Sequence, residues 1–214
     1  MAERSNPFAT RFIQPGQQFV EPPGFPGAEA LLDRFRCHRS WGQIVGPHGC
    51  GKTSLARALV ERIRPEFRKA HFMVIRRSAK TGDRCEVVTR VHGQGEGELW
   101  VVDGLEQLSL LQRYCLIGHC RHRKCSLLVT SHRALWGVPV LIRLLPSFSH
   151  FSQIVDSLTD STSLPLDDAM VKRVYDEHEG DYREGLLSLY DRVQPWVLAS
   201  IESPATTLEP ASVE

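Results

Sequence analysis

The sequence predicts a three-layer α/β protein with an open parallel sheet and a small C-terminal helical lid. Three observations lead to this prediction. From Trp41 to about Val155, short apolar runs alternate with helical patterns, as in a parallel sheet covered on both faces. A glycine-rich segment joins the first apolar run to the first long helical pattern. After Leu158 the periodicity is helical only, and 214 residues are enough for one such domain with its own core.

The composition is that of an ordinary globular chain. Hydrophobic residues make up 42%, and the formal net charge of +1 excludes a global attraction to nucleic acid or membranes. The six cysteines are too sparse for a disulfide scaffold. The N-terminus lacks the apolar core of a signal peptide, and no apolar run approaches the roughly 20 residues that span a bilayer. We therefore expect a cytoplasmic protein without a membrane segment.

The pattern divides the chain into four parts: an N-terminal arm (1–27), a core (28–160), a helical lid (161–196) and a disordered tail (197–214). The arm has five prolines, which favour extended backbone. Its phenylalanines predict that part of it packs on the domain: Phe8, Phe12, Phe19 and Phe25. The tail is rich in proline, serine, threonine and glutamate, a composition typical of disorder.

The elements of the core follow from local periodicity. Predicted helices are Ala28–Phe35, Lys52–Arg64, and Glu106–Ile117 closed by Gly118. Predicted strands are Trp41–Val45, His71–Ile75, Cys85–Val91, Leu99–Val102, Ser126–Val129 and a last one near Gln153–Val155, which a helical turn within 138–145 precedes.

Two further helices are predicted in the lid. Asp167 or Asp168 would cap the first, with Gly180 beyond its end. Asp181 and Glu184 have the spacing of a capping box for the second, which Pro195 would end.

The segment IVGPHGCGKTSLARALV (44–60) contains the pattern G-x-x-x-x-G-K-T from Gly46 to Thr53. Glycines allow backbone amides to turn inward around a phosphate, and the following helix adds its unpaired amides. The pattern predicts that Lys52 reaches the β- and γ-phosphates and that the Thr53 hydroxyl binds Mg²⁺. The complete predicted cofactor-binding set in this segment is Gly46, Pro47, His48, Gly49, Cys50, Gly51, Lys52, Thr53 and Ser54. For Cys50 we expect the backbone amide to be used, with a functional thiolate as the alternative.

Asp103 ends the apolar strand Leu99–Val102 and is the expected second half of this site. A carboxylate at that position holds a Mg²⁺-bound water beside the phosphate loop. The alternative is an aspartate that caps the next helix.

Gly46–Thr53 and Leu99–Asp103, with a strand between them, resemble the two nucleotide motifs of the additional-strand P-loop NTPases, and within them the AAA+ or AAA-like ATPases. The resemblance covers about residues 40–193. It implies that Thr130, in LLVTSH, is a sensor of the γ-phosphate, and that Arg183, in EGDYREGL, reaches the nucleotide from the lid. It also implies ATP and Mg²⁺ as cofactors, ATP hydrolysis coupled to conformational change, a protein partner and the capacity to form oligomers.

The sequence departs from this family after the Walker B aspartate. The adjacent position, which usually holds a glutamate, is Gly104, so Glu106 is the first carboxylate available as a general base. Arg143 and Arg133 are rival candidates for an arginine finger, and an ordinary surface role is the alternative for each. The departure motivates a second hypothesis, a nucleotide-dependent assembly switch with little turnover. A P-loop kinase is a third, although the segment after Thr130 lacks the arginine-rich lid of such kinases. The sequence lacks the guanine-reading motif of GTPases and the LSGGQ-type signature of ABC ATPases, which favours ATP.

The segment YCLIGHCRHRKCSLL offers two further candidates. Zinc would require four of Cys115, His119, Cys120, His122 and Cys125, or three of them plus another residue, to converge, although their spacings are not those of common zinc motifs. A positive loop that could meet nucleic acid or an acidic protein face would comprise Arg113, Arg121, Arg123 and Lys124. A solvated loop is the simpler alternative. Cys115 and Leu116 are expected to face the core.

Overall fold

The computed structural model describes residues 6–10, 19–76, 95–160, 164 and 166–202. The predicted strand Cys85–Val91, the side chain of Phe12 and the chain beyond residue 202 lie outside the described residues.

The strands among the described residues are β1 (Trp41–Val45), β2 (Lys69–Val74), β3 (Glu98–Asp103), β4 (Ser126–Ser131) and β5 (Val140–Arg143). They form one parallel sheet in the order β2-β3-β4-β1-β5. Because the strands are parallel and β4 lies between β1 and β3, the carboxyl ends of these three strands meet at one edge of the sheet. The predicted fold class, a three-layer α/β fold with an open parallel sheet and C-terminal helices, is confirmed.

Helices cover both faces of the sheet. Helices α1 (Ala28–Cys37) and α2 (Lys52–Ile63) pack against one face, which includes Leu99 and Val101 of β3. Helix α3 (Leu110–His122) packs against the other face, which includes Trp100 and Val102. Alternate residues of β3 therefore contribute to two separate hydrophobic clusters, and the whole strand is buried. Single 3-10 turns occupy Arg64–Glu66 and Leu105–Gln107.

The predicted elements after β4 were wrong. The segment 138–145 contains the edge strand β5, whose Val140 pairs with Gln43, and not a helical turn. Gly42 leaves room for the Leu141 side chain, since a Cβ at position 42 would lie only 2.4 Å from Leu141 Cδ1. The absence of a side chain at position 42 therefore permits this pairing. The predicted strand near Gln153–Val155 lies within helix α4 (Phe148–Thr159). Ser147 caps this helix by accepting a hydrogen bond from the backbone amide of His150 at 3.3 Å.

Helix α3 also differs from its prediction. It begins after Ser109, which forms a reciprocal capping box with Gln112, and it continues through Gly118 to His122. The glycine is therefore not a helix end, and Glu106 lies in the preceding 3-10 turn. Cys115 is exposed, whereas Leu116 is buried as expected.

The C-terminal part is a bundle of three helices among the described residues, where the sequence predicted two. Helix α4 packs with α5 (Asp168–Glu177) and α6 (Tyr182–Glu202) around Phe151, Val174 and Leu189. As predicted, Asp167 caps α5 by accepting a hydrogen bond from Met170 N at 2.6 Å. The predicted end of α6 at Pro195 was wrong: the helix continues to Glu202 because its buried face extends across the proline, from Val193 to Val197. We call α4, α5 and α6 the lid bundle.

Two described parts of the N-terminal arm pack on different parts of the protein. Phe8 is fully buried in the lid bundle, and the Asn6 side-chain amide donates to the Tyr190 carbonyl at 3.0 Å. Phe19 and Phe25 pack together, with ring centroids 5.4 Å apart, against the cluster that holds α1 and α2.

Candidate functional site

The loop between β1 and α2 lies at the carboxyl edge of the sheet. Its glycines are required by geometry: Gly49 and Gly51 have φ angles of 67° and 88°, which L side chains rarely adopt. At Gly46 a Cβ would lie 2.7 Å from both the Cys50 sulfur and the Leu144 carbonyl oxygen. Gly51 is the N-cap of α2 and has no side chain to bind the amides of the first turn. These amides and the positive end of the helix dipole are suited to an anion.

The Asp103 carboxylate lies between two hydroxyl groups. Its Oδ2 accepts a hydrogen bond from Thr53 Oγ1 at 2.8 Å, and its Oδ1 accepts one from Thr130 Oγ1. The Thr130 hydroxyl in turn accepts a hydrogen bond from the Gly104 amide at 3.0 Å. Thr130 is fully buried and Asp103 is 8% exposed. The structure thus brings together the ends of β3 and β4 and the first turn of α2.

The other side chains of the loop make local contacts. The Lys52 ammonium donates to the Pro47 carbonyl oxygen. The Cys50 thiol is buried and donates to the same carbonyl at 3.1 Å. Burial raises the pKa of the Cys50 thiol, which favours the neutral thiol over the thiolate that the alternative interpretation required. Ser54, in the first turn of α2, is partly exposed.

A row of four ionisable side chains crosses the mouth of this loop. Glu106 Oε1 lies 3.2 Å from His132 Nε2, and His48 Nδ1 lies 3.0 Å from Asp181 Oδ2. The two imidazole rings are in edge contact, with centroids 5.7 Å apart. Sequence reasoning assigned no role to His132 or to the Asp181 side chain beyond capping. The only local signal for His132 was its place directly after the strand that ends in Thr130.

The lid bundle meets the loop through Asp181. Its Oδ1 accepts hydrogen bonds from the backbone amides of Arg183, at 3.0 Å, and of Glu184, at 3.2 Å, so Asp181 caps α6 as predicted. A Cβ on Gly49 would lie 1.9 Å from the same oxygen, which shows how closely the lid approaches the loop.

The arginines predicted near the nucleotide are exposed. Arg143 ends β5 opposite Val45, directly beside the start of the loop, and Arg133 follows β4. Neither these two nor the Arg183 guanidinium forms a side-chain hydrogen bond or ion pair with any residue that the structure describes. All three are therefore available to a ligand or a partner.

The Cys/His segment is helical up to His122 and is not one loop. Cys120 and Cys125 are buried, and burial raises the pKa of Cys120 to about 12. Among the described residues no three His, Cys, Asp or Glu side chains are grouped in a way that could hold a metal ion. The predicted positive patch is also divided. Arg113 donates to the Leu108 carbonyl at 2.8 Å, and Arg121 donates to the Gly137 carbonyl at 2.7 Å, which leaves Arg123 and Lys124 at the exposed helix end.

Comparisons with known proteins agree with this geometry. Residues 43–112, from β1 to the start of α3, match the family model of the ATPase family associated with various cellular activities (AAA). The solved structure of the RuvB Holliday junction branch migration motor from Thermotoga maritima is 16% identical, with a TM-score of 0.56 over 87% of this chain and 68% of that chain. A mutant of the same protein gives a TM-score of 0.55 at 16% identity, over 87% of this chain and 68% of that chain. No curated protein matches the sequence.

At such identity the structural likeness establishes the fold alone, and the family match covers residues 43–112, which include the loop between β1 and α2. The class is thus defined: a P-loop nucleotide-binding domain with a C-terminal helical bundle. The match over residues 43–112 and the shared fold confirm the predicted resemblance to the AAA+ and AAA-like ATPases. None of the helices that the structure describes has both the length and the apolar character needed to cross a membrane.

Proposed function

We propose that this protein binds Mg·ATP at the loop 46–53 and hydrolyses it, and that the lid bundle changes position with the state of the nucleotide. The observation that carries the proposal is the hydrogen-bonded group of Thr53, Asp103 and Thr130 at the end of the phosphate loop. The group joins a helix N-terminus, a buried carboxylate and a hydroxyl at one edge of the sheet, where P-loop proteins act on phosphates.

The donor set fits magnesium. Thr53 Oγ1 and Asp103 Oδ2 are hard oxygen donors 2.8 Å apart, and Mg²⁺ prefers oxygen ligands and keeps several of its waters. Thr53 would bind the ion directly and Asp103 would orient a water on it. The ion would neutralise charge on the β- and γ-phosphates. Lys52, now on the Pro47 carbonyl, would move its ammonium onto the same phosphates.

Glu106 is the proposed general base. Its Oε1 faces His132, while its Oε2 is buried and has no hydrogen-bond partner among the described residues. An unpartnered carboxylate oxygen beside the loop can accept a proton from an attacking water. Thr130, whose hydroxyl now bonds Asp103 and Gly104, would sense the γ-phosphate from the same edge.

The lid would respond to the nucleotide through the first turn of α6. Asp181 contacts the loop directly, and Arg183 lies two residues further along the same turn with its guanidinium exposed. A polyphosphate in the loop would attract Arg183 and repel the Asp181 carboxylate. These opposite forces favour a change in the lid position on binding.

Steady-state phosphate release with ATP and Mg²⁺ tests the proposal. Lys52→Ala and Asp103→Asn should each reduce turnover by about 100-fold or more, since Lys52 would neutralise phosphate charge and Asp103 would hold the magnesium that does so. Lys69→Ala, an exposed lysine at the start of β2, is the matched control and should match the wild type. Equal rates in Lys52→Ala and the wild type would contradict the proposal.

A nucleotide-dependent assembly switch is the second candidate, and Gly104 in the position of the usual glutamate favours it. Tight ATP binding with a turnover that Glu106→Gln does not change would identify the switch. A P-loop kinase would instead transfer phosphate to an acceptor other than water, which product analysis with labelled ATP would reveal.

Partners follow from the exposed charges. We propose three kinds of partner. They are a protein partner, further copies of this chain with Arg133 or Arg143 as the arginine finger, and nucleic acid bound at Arg123 and Lys124. Phosphate release measured across protein concentrations, with and without DNA, separates them. A rate per subunit that rises with concentration indicates a shared site, and stimulation by DNA that Arg123→Ala removes indicates the helix-end contact. The cysteines that the structure describes are free, which fits a reducing, cytoplasmic location.

A further inference from the structure

Glu106 does not occupy the position from which a general base ordinarily acts in this class. It lies three residues after Asp103, in the 3-10 turn Leu105–Gln107 that starts at Gly104, whose φ is 85°. The turn itself is fixed, because Leu105 is fully buried and Arg113 donates to the Glu106 carbonyl oxygen. The backbone therefore brings Glu106 near the loop, but its side chain still has several rotamers to choose from.

His132 provides the contact that selects one of them. Its Nε2 lies 3.2 Å from Glu106 Oε1, and the Gln107 side-chain amide donates a long hydrogen bond of 3.5 Å to the same oxygen. We propose that His132 is a positioning residue that holds the Glu106 carboxylate at the phosphate loop. This inference deepens the proposed hydrolysis and rests on it.

The two carboxylate oxygens of Glu106 differ in their contacts, and this difference supports the positioning role of His132. His132 and the Gln107 side chain both contact Oε1, while Oε2 has no partner among the described residues and is the oxygen left to take a proton. Burial lowers the pKa of His132, and the positive charge of Lys52 lowers it further. The ring is then neutral at neutral pH, with Nε2 lying 3.2 Å from Glu106 Oε1. A neutral ring beside the carboxylate restricts its position without the full loss of basicity that an imidazolium would cause.

The ring of His132 is itself supported. It lies in edge contact with His48 at 5.7 Å, and His48 is bound to Asp181 of the lid bundle. The orientation of Glu106 is thereby joined, through two imidazoles, to the loop and to the lid. A positioning residue is useful only when its own rotamer is restrained in this way.

Four variants test the proposal in the full chain: His132→Ala, His132→Gln, Glu106→Gln and the double variant His132→Ala with Glu106→Gln. Phosphate release gives kcat and KM, equilibrium binding of a fluorescent ATP analogue gives affinity, and thermal unfolding checks the fold. His122→Ala, an exposed histidine at the end of α3, is the matched control.

We expect Glu106→Gln to lower kcat by about 10²–10⁴-fold, the range for a general base. His132→Ala should lower kcat by about 10-fold or more, with KM and ATP affinity within about 3-fold, because positioning acts on the chemical step. His132→Gln, which keeps a donor, should recover part of the loss. In the double variant the histidine change should have no further effect, since the group it positions is gone.

Three results would overturn the inference. A kcat of His132→Ala within 2-fold of an active wild type removes the positioning role and leaves the proposed hydrolysis standing. Equal losses in His132→Ala and His132→Gln, together with lost ATP affinity or fold, would show a purely structural role. A wild type no faster than Lys52→Ala would end the proposed hydrolysis and this inference with it.

Discussion

The Thr53 hydroxyl donates a hydrogen bond to Asp103 Oδ2 over 2.8 Å, which joins the start of α2 to the end of β3. This pair brings the two halves of the nucleotide motif together. Because Thr53 is the proposed direct ligand, Thr53→Ala should raise the Mg²⁺ concentration for half-maximal phosphate release by about 10-fold or more. Thr53→Ser, which keeps the oxygen, is the control and should stay near the wild type. Identical Mg²⁺ dependence in all three proteins would speak against the magnesium site.

Thr130→Val tests the other side of the same carboxylate. The valine removes the hydroxyl that bonds both Asp103 Oδ1 and the Gly104 amide, at a fully buried position. The free energy of unfolding without nucleotide should fall by about 1–3 kcal/mol, the cost of leaving buried polar groups without partners. Thr130→Ser should lose much less. Urea unfolding measures the difference, and a valine variant as stable as wild type would contradict the network.

Gly49→Ala and Gly51→Ala separate backbone strain from contact with the lid. Both glycines have positive φ, so each alanine should cost about 1 kcal/mol of unfolding free energy or more. Only at Gly49 does the new Cβ meet another side chain, the Asp181 carboxylate, whereas at Gly51 nothing lies within 4 Å. Gly49→Ala should therefore be the more destabilising variant in thermal unfolding. The double variant Gly49→Ala with Asp181→Gly should recover part of the extra loss, because it removes the side chain that the new Cβ meets. Equal losses of stability in Gly49→Ala and Gly51→Ala would show that Asp181 of the lid does not contact the loop at Gly49.

Phe8→Ala tests whether the N-terminal arm is part of the lid bundle. The ring is fully buried against the lid helices, so its loss should lower the unfolding free energy by about 3 kcal/mol, less whatever the bundle recovers by relaxing. Phe8→Leu should keep most of the stability. Chemical denaturation followed by the tryptophan signal checks this, and a loss below about 0.5 kcal/mol would show that the arm is not needed.

His150 should make the lid sensitive to acid. It is 4% exposed, in contact with the Val20 carbonyl at 2.8 Å and with the Tyr182 ring. Burial lowers its pKa below the ordinary 6.5, so the folded protein resists a proton that the unfolded chain accepts. The unfolded state then binds more protons, and the free energy of unfolding falls as the pH drops below about 6.5.

The comparison of wild type with His150→Gln isolates this effect. Urea unfolding at about pH 7.5 and about pH 5.5, on either side of the ordinary histidine pKa, should show a smaller acid loss in the variant. An equal or larger acid loss in His150→Gln would assign the sensitivity to other groups.

Most of the sheet could be read from the sequence, and the region after β4 could not. Strands β1, β3 and β4 are mainly apolar and are buried on both faces, so composition alone marks them. β5 is a four-residue edge strand whose conformation depends on pairing with β1 and on the space above Gly42. Helix α4 places Phe148, Phe151, Val155 and Leu158 at helical spacing, and the prediction of a strand near Gln153–Val155 overlooked this periodicity. The predicted helix end at Pro195 was wrong because the packing of α6 outweighs the one backbone hydrogen bond that the proline removes.

The sequence by itself determined the phosphate loop and its carboxylate, because glycine spacing, a helix start and a strand end are local properties of the chain. Only the tertiary structure decided which side chains face each other across the mouth of the loop. Glu106 meets His132, and His48 meets Asp181 from 133 positions away. Such contacts depend on how strand ends and helix ends are packed together. A local sequence pattern cannot predict these contacts. Hydrophobic burial determines where the helices and strands lie, and only that arrangement determines which polar side chains are close enough to interact.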